Sequence, residues 1–396
     1  MINVRLQIGK WCRVPTDDDG YIAVKGTIAL GNTFVDQAEL SNLIPDTANL
    51  DELRMRMCRL NGFYALVRKT PHGVFAAVDH VRSRPLFYAS VNGVFYLSDD
   101  AWWIQLQVGA EVDLVAKDEF LLTGYVTGRD TLNLYIKQLQ AGEFLLATIS
   151  DGGVSIQTSS WYRFWHTEPD DCSYKSLGDS LDLSLTNSIR RLIRYANGRQ
   201  IVVPLSGGYD SRIIAILLKR LGYKNVLTFS YGEAGNRESV YSQQTARVLG
   251  WDWCFAEYEA TLWSRIWNTS ERIAYQRYAF MLVSLPLFQD WLAVKILSER
   301  GDLASDCILV PGHTGDFVAG GHTPLIAKKG RSASVKDAIV ELHQRHYSLI
   351  INNKVINNRR SRWEGRILQM VGDGRVNDGV DLANVCDAWN WQERQA

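Results

Sequence analysis

The sequence predicts a mixed chain of two domains: stacked antiparallel β-sheets over residues 1–157, then an α/β domain built on a doubly wound parallel sheet. Three observations carry this. Short β-branched and aromatic runs, separated by turn residues, fill the first 150 positions. From Leu177 the apolar spacing becomes helical. Beyond it, continuous apolar runs alternate with helical segments, the pattern of a sheet covered on both faces. At 396 residues the chain exceeds one ordinary core, so two domains are expected.

In the front half the strand-like runs are 21–30, 63–67, 74–78, 85–89 and 94–97, with a helical patch at 50–59. Pro71-His72-Gly73 and Asn92-Gly93 separate runs, and the second is a strong hairpin signal because both residues tolerate positive φ. A polar, tryptophan-spotted stretch at 158–176 has neither apolar period and reads as the linker. The second domain, 177–396, opens with Leu177, Leu181, Leu185, Ile189, Leu192 and Ile193 on one helical face. A buried strand at 200–205, a helix, a second buried strand at 226–230 and a helix ending near Leu249 follow. Residues 308–310 read as a later strand of the same sheet.

Lys plus Arg and Asp plus Glu both number 43, so no basic excess points to nucleic acid. The clusters Arg190, Arg191, Arg194 and Arg359, Arg360, Arg362 read as solvated helix faces. The six cysteines, at 12, 58, 172, 254, 307 and 386, include no CxxC pair, which fits a reducing compartment and offers no zinc knuckle. The N-terminus lacks a signal-peptide core, and the most apolar stretch, 279–288, is too short to span a membrane. A cytoplasmic protein is expected.

The segment IVVPLSGGYDSR, residues 201–212, carries the chemistry. A buried strand ends at Leu205, a tight turn follows, and a helix starts around Asp210. Gly207 and Gly208 let the backbone turn and bring N–H groups against an anion; the positive helix end adds to the field. Ser206 and Ser211 supply hydroxyls. Asp210 would repel a phosphate, so its sensible role is to hold Mg²⁺ bridging the phosphate groups. A plain strand-to-helix turn of small residues is the competing reading.

SGGYDS resembles the SGGxDS loop of the ATP pyrophosphatases, which split ATP between the α- and β-phosphates, and the chain as a whole resembles the asparagine synthetase family. LVPGHTGDFVAGGH, residues 309–322, is similar to that family's second glycine turn, where an aspartate meets pyrophosphate and metal. The resemblance implies pyrophosphate contacts at Pro311 and Gly312 and a second Mg²⁺ ligand at Asp316. The family usually has acids where His313 and Phe317 stand. TFSYG, residues 228–232, resembles the strand end that lies against adenine, which implies Tyr231 and Gly232 there; a bland strand end is the alternative.

In the front half, LNGFYALV (60–67), Asp79, RPLFY (84–88), LSDDAWWI (97–104) and Trp161-Tyr162 fall in the family's order. They imply an N-terminal-nucleophile-like sandwich followed by an adenine-nucleotide α-hydrolase-like domain. The glutaminase mechanism needs a cysteine directly after the initiator methionine, with its own α-amino group as base. Ile2 stands there, and Cys12 is internal. Glutamine hydrolysis is therefore expected to be absent. The family's catalytic lysine has no counterpart here; Lys328, Lys329 and Lys354 read as solvated surface, and a truncated synthetase domain is expected.

The function implied is an ATP- and Mg²⁺-dependent ligase that adenylates a carboxylate and passes the acyl group to ammonia or an amine. The aromatic stretch 262–297 would face substrate or form core. A homodimer is left open. Two alternatives stand beside this: a non-catalytic descendant that binds nucleotide or a partner protein, and, more weakly, a tRNA-modifying member of the superfamily.

Overall fold

The computed structural model describes the chain except residues 32, 45–48, 151, 260, 329, 331, 350–359, 372–375 and 396, and the side chains at 360–362, 370 and 395. Lys329, Lys354 and Arg359 thus lie outside the described residues. The chain is mixed α/β. Its first ten described α-helices are α1 (Leu50–Met57), α2 (Ala101–Val108), α3 (Leu114–Thr123), α4 (Tyr174–Ala196), α5 (Tyr209–Arg220), α6 (Arg237–Leu249), α7 (Leu262–Ile266), α8 (Ser270–Phe280), α9 (Phe288–Glu299) and α10 (Gly315–Ala319). It divides into two compact units. Unit one is Met1–His166 with Tyr278–Leu285 and His322–Ala396; unit two is Thr167–Arg277 with Pro286–Gly321.

In unit one the strands run in chain order as β1 (Ile2–Arg5), β2 (Cys12–Pro15), β3 (Tyr21–Leu30), β4 (Thr33–Phe34), β5 (Leu60–Lys69), β6 (Gly73–Val78), β7 (Phe87–Val91), β8 (Val94–Ser98), β9 (Lys137–Gln138), β10 (Glu143–Ser150) and β11 (Gly153–Ser160). The large sheet is antiparallel throughout, in the order β11-β10-β6-β5-β3-β2, with β4 beside β3. A smaller sheet has the order β1-β8-β7-β9, and its β1–β8 pair is parallel.

The period-2 alternation of side chains assigns each face of the large sheet to a different core. Ile22, Val24, Tyr64, Leu66, Phe75 and Phe144 join Leu53 and Met57 of the helix α1 (Leu50–Met57). Their neighbours Ala23, Ala65, Val67, Ala76 and Ala147 turn to the other face and pack with Tyr88, Phe95 and Leu97 of the smaller sheet. The small alanines let the two sheets approach.

The C-terminal residues departed from expectation. The helical spacing from Leu177 onwards predicts a second domain over 177–396, whereas His322–Ala396 groups with unit one. The physical reason is a core in which Leu342, Trp363, Ile367, Leu382, Val385 and Trp389 of the C-terminal helices close over Leu122. Helical periodicity reveals an apolar face but not its partner.

Unit two holds a four-stranded sheet, β12 (Ile201–Pro204), β13 (Val226–Gly232), β14 (Asp252–Glu257) and β15 (Ile308–Leu309), all parallel, in the order β14-β13-β12-β15. Ile201 and Val203 pack with Ile189 of α4 (Tyr174–Ala196) and with Leu217 and Leu218 of α5 (Tyr209–Arg220). Val202, between them, turns to Ala293 and Leu297 of α9 (Phe288–Glu299). Helices therefore cover both faces, which is why these strands read as unbroken apolar runs. Between β13 and β14 runs α6 (Arg237–Leu249), capped at Asn236, whose side chain accepts from Ser239 N. No described helix is long and apolar enough to cross a membrane.

Candidate active site

At the carboxyl edge of the parallel sheet, β12 passes through Leu205 into the turn Ser206-Gly207-Gly208 and then α5. Leu205 is buried, and its N–H donates to the Phe229 carbonyl at 2.8 Å, extending the pairing with β13. Ser206, Gly208 and Tyr209 are exposed and Ser211 is buried, so the turn presents one side to solvent and anchors the other. Gly208 is the N-cap of α5 and supplies no side-chain cap. The helix therefore begins with first-turn amides that no capping side chain satisfies, an anion-attracting arrangement.

The amides just before it are engaged. Ser206 N–H donates to Ser211 Oγ at 3.0 Å, Gly208 N–H donates to Ser206 Oγ at 3.1 Å, and the two serine oxygens lie 3.1 Å apart. Gly207 N–H donates to a carboxylate oxygen of Glu238, on α6. Arg212 donates to the Gly207 carbonyl at 2.7 Å and lies over the Tyr209 ring, fixing the far side of the turn. Nothing local in the sequence marks Glu238: it is 31 residues from Gly207, in the first turn of another helix, and only the parallel pairing of β12 and β13 brings it here.

The second turn meets the first. A Cβ added at Gly312 would lie 2.5 Å from Ser211 N, and one at Gly315 would lie 2.5 Å from Asp210 Cβ. Gly312 rests on the backbone of Ser211 and Gly315 on the side chain of Asp210, so neither position has room for a Cβ. The Asp210 carboxylate lies against Gly315, the residue immediately before Asp316, in the first turn of α10 (Gly315–Ala319). Among the described residues, neither the Asp210 nor the Asp316 carboxylate accepts a protein hydrogen bond. No group of three His, Cys, Asp or Glu side chains able to hold a metal occurs among them. Two hard carboxylates with the rest of the shell from water and phosphate is the donor set Mg²⁺ favours. Pro311 and His313 are exposed beside them.

Tyr231 and Gly232 end β13. The Tyr231 hydroxyl donates to Asp290 at 2.7 Å, and its ring stacks on Tyr258 at 5.3 Å. Burial, then the Asp290 carboxylate, push the phenol well above its ordinary pKa, so it stays a donor. The aromatic run continues through Trp263, Trp267, Phe288, Tyr275 and Trp291, with consecutive ring centroids 5.4 to 6.5 Å apart. Trp267 is exposed and the rest are half-buried, so this is a surface-facing aromatic cluster and not deep core.

Lys328 is exposed, in a short helix at Leu325–Lys328 that belongs to unit one.

Residues 181–267, about a fifth of the chain, match the asparagine synthase family. The match contains the first turn, Glu238 and Tyr231, and ends before the second turn. No curated protein matches. Solved structures similar at low level include an amidotransferase and two NAD synthetases. The glutamine phosphoribosylpyrophosphate amidotransferase from B. subtilis, complexed with ADP and GMP, is 14% identical over 63% of this chain and 73% of its own, with a TM-score of 0.26. An NH3-dependent NAD synthetase from Campylobacter jejuni is 17% identical over 47% of this chain and 96% of its own, TM-score 0.23. A glutamine-dependent NAD+ synthetase from Acinetobacter baumannii, in complex with ADP, is 14% identical over 80% of this chain and 61% of its own, TM-score 0.25. TM-scores of this size describe no shared overall arrangement.

Proposed function

We propose that this protein is an ATP-dependent ligase that adenylates a carboxylate, releases pyrophosphate, and passes the acyl group to ammonia or a substrate amine. The observation that carries the reading is the contact of the two glycine turns: Asp210 lies against Gly315 beside Asp316, with neither carboxylate engaged by the protein. The asparagine synthase match over the first turn supports it.

In this reading Asp210 and Asp316 would hold Mg²⁺, which when bound would supply charge neutralisation for the phosphates and the leaving pyrophosphate. The uncapped start of α5 and the Ser206 and Ser211 hydroxyls receive the leaving diphosphate, and Tyr231 and Gly232 border the adenine. Catalysis consists of positioning and charge neutralisation, with no covalent nucleophile. The front domain is read as a glutaminase-like partner without glutaminase chemistry, and glutamine should yield no glutamate.

One observation favours a second reading, a nucleotide- or partner-binding protein without turnover. The amides of Ser206, Gly207 and Gly208 already have protein acceptors, so a phosphate must displace Glu238 and turn both serines. Exchange of labelled pyrophosphate into ATP, with Mg²⁺ and pools of candidate acids, separates the two. Acid-dependent exchange lost in Asp210→Asn supports the ligase. Nucleotide binding without exchange for any acid supports the binding protein, and no nucleotide binding at all removes the ligase and leaves only the partner-binding form of the second reading.

A further inference from the structure

Unit one contains a cavity of about 230 Å³ that the proposed reaction does not use. Its charged lining is Lys25, Arg82, Arg84 and Asp99; Phe87, Phe280 and Met281 provide apolar wall. At ~30 Å³ per water, it has room for the equivalent of about eight waters, hence for a small organic molecule.

The charges do not cancel. Asp99 accepts from Gln7 N, Ile8 N and Trp11 Nε1, each at 2.9 Å, and Lys25 Nζ stands off at 3.5 Å. Arg82 donates to Gln138, and its charge is answered by Glu393 and Glu143. Arg84 donates to the Ser83 carbonyl at 3.0 Å and pairs with no carboxylate among the described residues. It stands close enough to Lys25 to help lower that amine's pKa, after burial. Lys25 and Arg84 against Asp99 leave one positive charge unanswered in a partly apolar cavity.

The backbone is also held in an uncommon conformation there. Of the six described non-glycine residues with positive φ, Arg82 (50°) and Met281 (40°) line this cavity, and Leu282 (64°) follows Met281 in the same turn. Such strain persists where surrounding structure enforces it, and it gathers at ligand sites.

We infer that this cavity binds a small organic monocarboxylate, with the carboxylate between Arg84 and Lys25 and its apolar body against Phe87, Phe280 and Met281. One unanswered charge selects a monoanion. The guanidinium fork suits a carboxylate, and the apolar wall discriminates against a bare inorganic ion.

Isothermal titration of the full chain with benzoate, hexanoate, acetate and inorganic phosphate tests this. Benzoate or hexanoate should saturate and bind more tightly than acetate or phosphate. Arg84→Gln should weaken binding at least about tenfold, as expected for a lost charge-assisted pair, and Arg84→Lys should fall between. Ala279→Phe, which fills the cavity and keeps every charge, should abolish binding if Arg84→Gln does not fold. Asp210→Asn should leave binding unchanged, which separates this site from the nucleotide site. No saturable carboxylate binding, equal affinity in Arg84→Gln, or tighter binding of phosphate would overturn the inference.

Discussion

Asp79 directly follows a buried strand, and Asp210 lies in the first turn of the helix that follows one, yet their surroundings are opposite. Asp79, after β6, is fully buried, and its oxygens accept from Tyr64 N and Val81 N at 2.8 Å and from the Ser83 amide and hydroxyl. Its charge is consumed in holding β5, β6 and the following turn together. Asp210 is partly exposed and engages no protein donor, and Asp316 is like it. A carboxylate whose donors are all supplied by the fold is structural. One left without donors at a sheet edge is available to a cation. The same contrast runs inside the candidate site, where the carboxylates are open while the preceding amides are taken.

The largest expected effect breaks this contrast at the structural end. Asp79→Asn, which removes a buried charge and strands several donors, should cost on the order of 4 kcal/mol by urea denaturation. Asp210→Asn should leave the urea midpoint within error and abolish Mg²⁺-dependent nucleotide binding. Equal destabilisation by both would erase the distinction.

Two buried groups of unit one sharpen it through pH. Burial pushes Glu393 up to about 7 from 4.5, while Gly128 N–H, Arg82 and Gln140 pull the other way. Burial pushes His346 down to about 3 from 6.5, with Arg394, Arg345 and His322 adding to it. From pH 7 to 4.5 the folded state holds more protons at Glu393 than the unfolded state, so this group adds stability as pH falls. From pH 6.5 to 3 the folded state holds fewer at His346, so that group removes stability as pH falls. Each contributes roughly 1.4 kcal/mol per pH unit inside its window, and the two nearly cancel between 4.5 and 6.5. Denaturation at stepped pH should show His346→Gln gaining stability on acidification to pH 4.5 and Glu393→Gln losing it. Slopes of the same sign in both variants would contradict this.

A smaller effect is expected at the contact of the turns. Gly315→Ala places a methyl on Asp210 and should cost about 1–3 kcal/mol as an overpacked contact, together with nucleotide affinity. Unchanged nucleotide affinity in a folded Gly315→Ala chain would show that the two turns need not touch.

The smallest concerns the occupied amide. If Glu238 blocks the phosphate position, Glu238→Gln should bind pyrophosphate a few-fold more tightly, about 1 kcal/mol, as one like charge is removed near the surface. Weaker binding in titrations would instead make Glu238 a support that the turn needs.

Much of this was legible from local spacing. The strand Tyr21–Leu30 was readable to the residue, and the parallel strands of unit two to within two residues, because burial on both faces leaves unbroken apolar runs. Asp252–Glu257 was not readable, since its half-buried DWCFAE has neither an unbroken apolar run nor a clean alternation. The role of Glu238 was hidden for a different reason: a lone glutamate in a helix's first turn looks like any dipole partner. The Lys25–Arg84–Asp99 grouping joins residues up to 74 positions apart, and no spacing rule spans that distance.

By itself the sequence determined most of the strands and helices, the SGGYDS turn between a buried strand and a helix, and the need for glycine at the sharp turn of Gly207 and Gly208. Those features depend on short-range sterics and on side-chain period, which a linear string contains. Tertiary structure alone decided which amides are occupied, which carboxylates keep no donor, and that the C-terminal helices close over Leu122 of the first unit. Those depend on which surfaces find each other after the chain returns on itself, and a hydrophobic face carries no address for its partner.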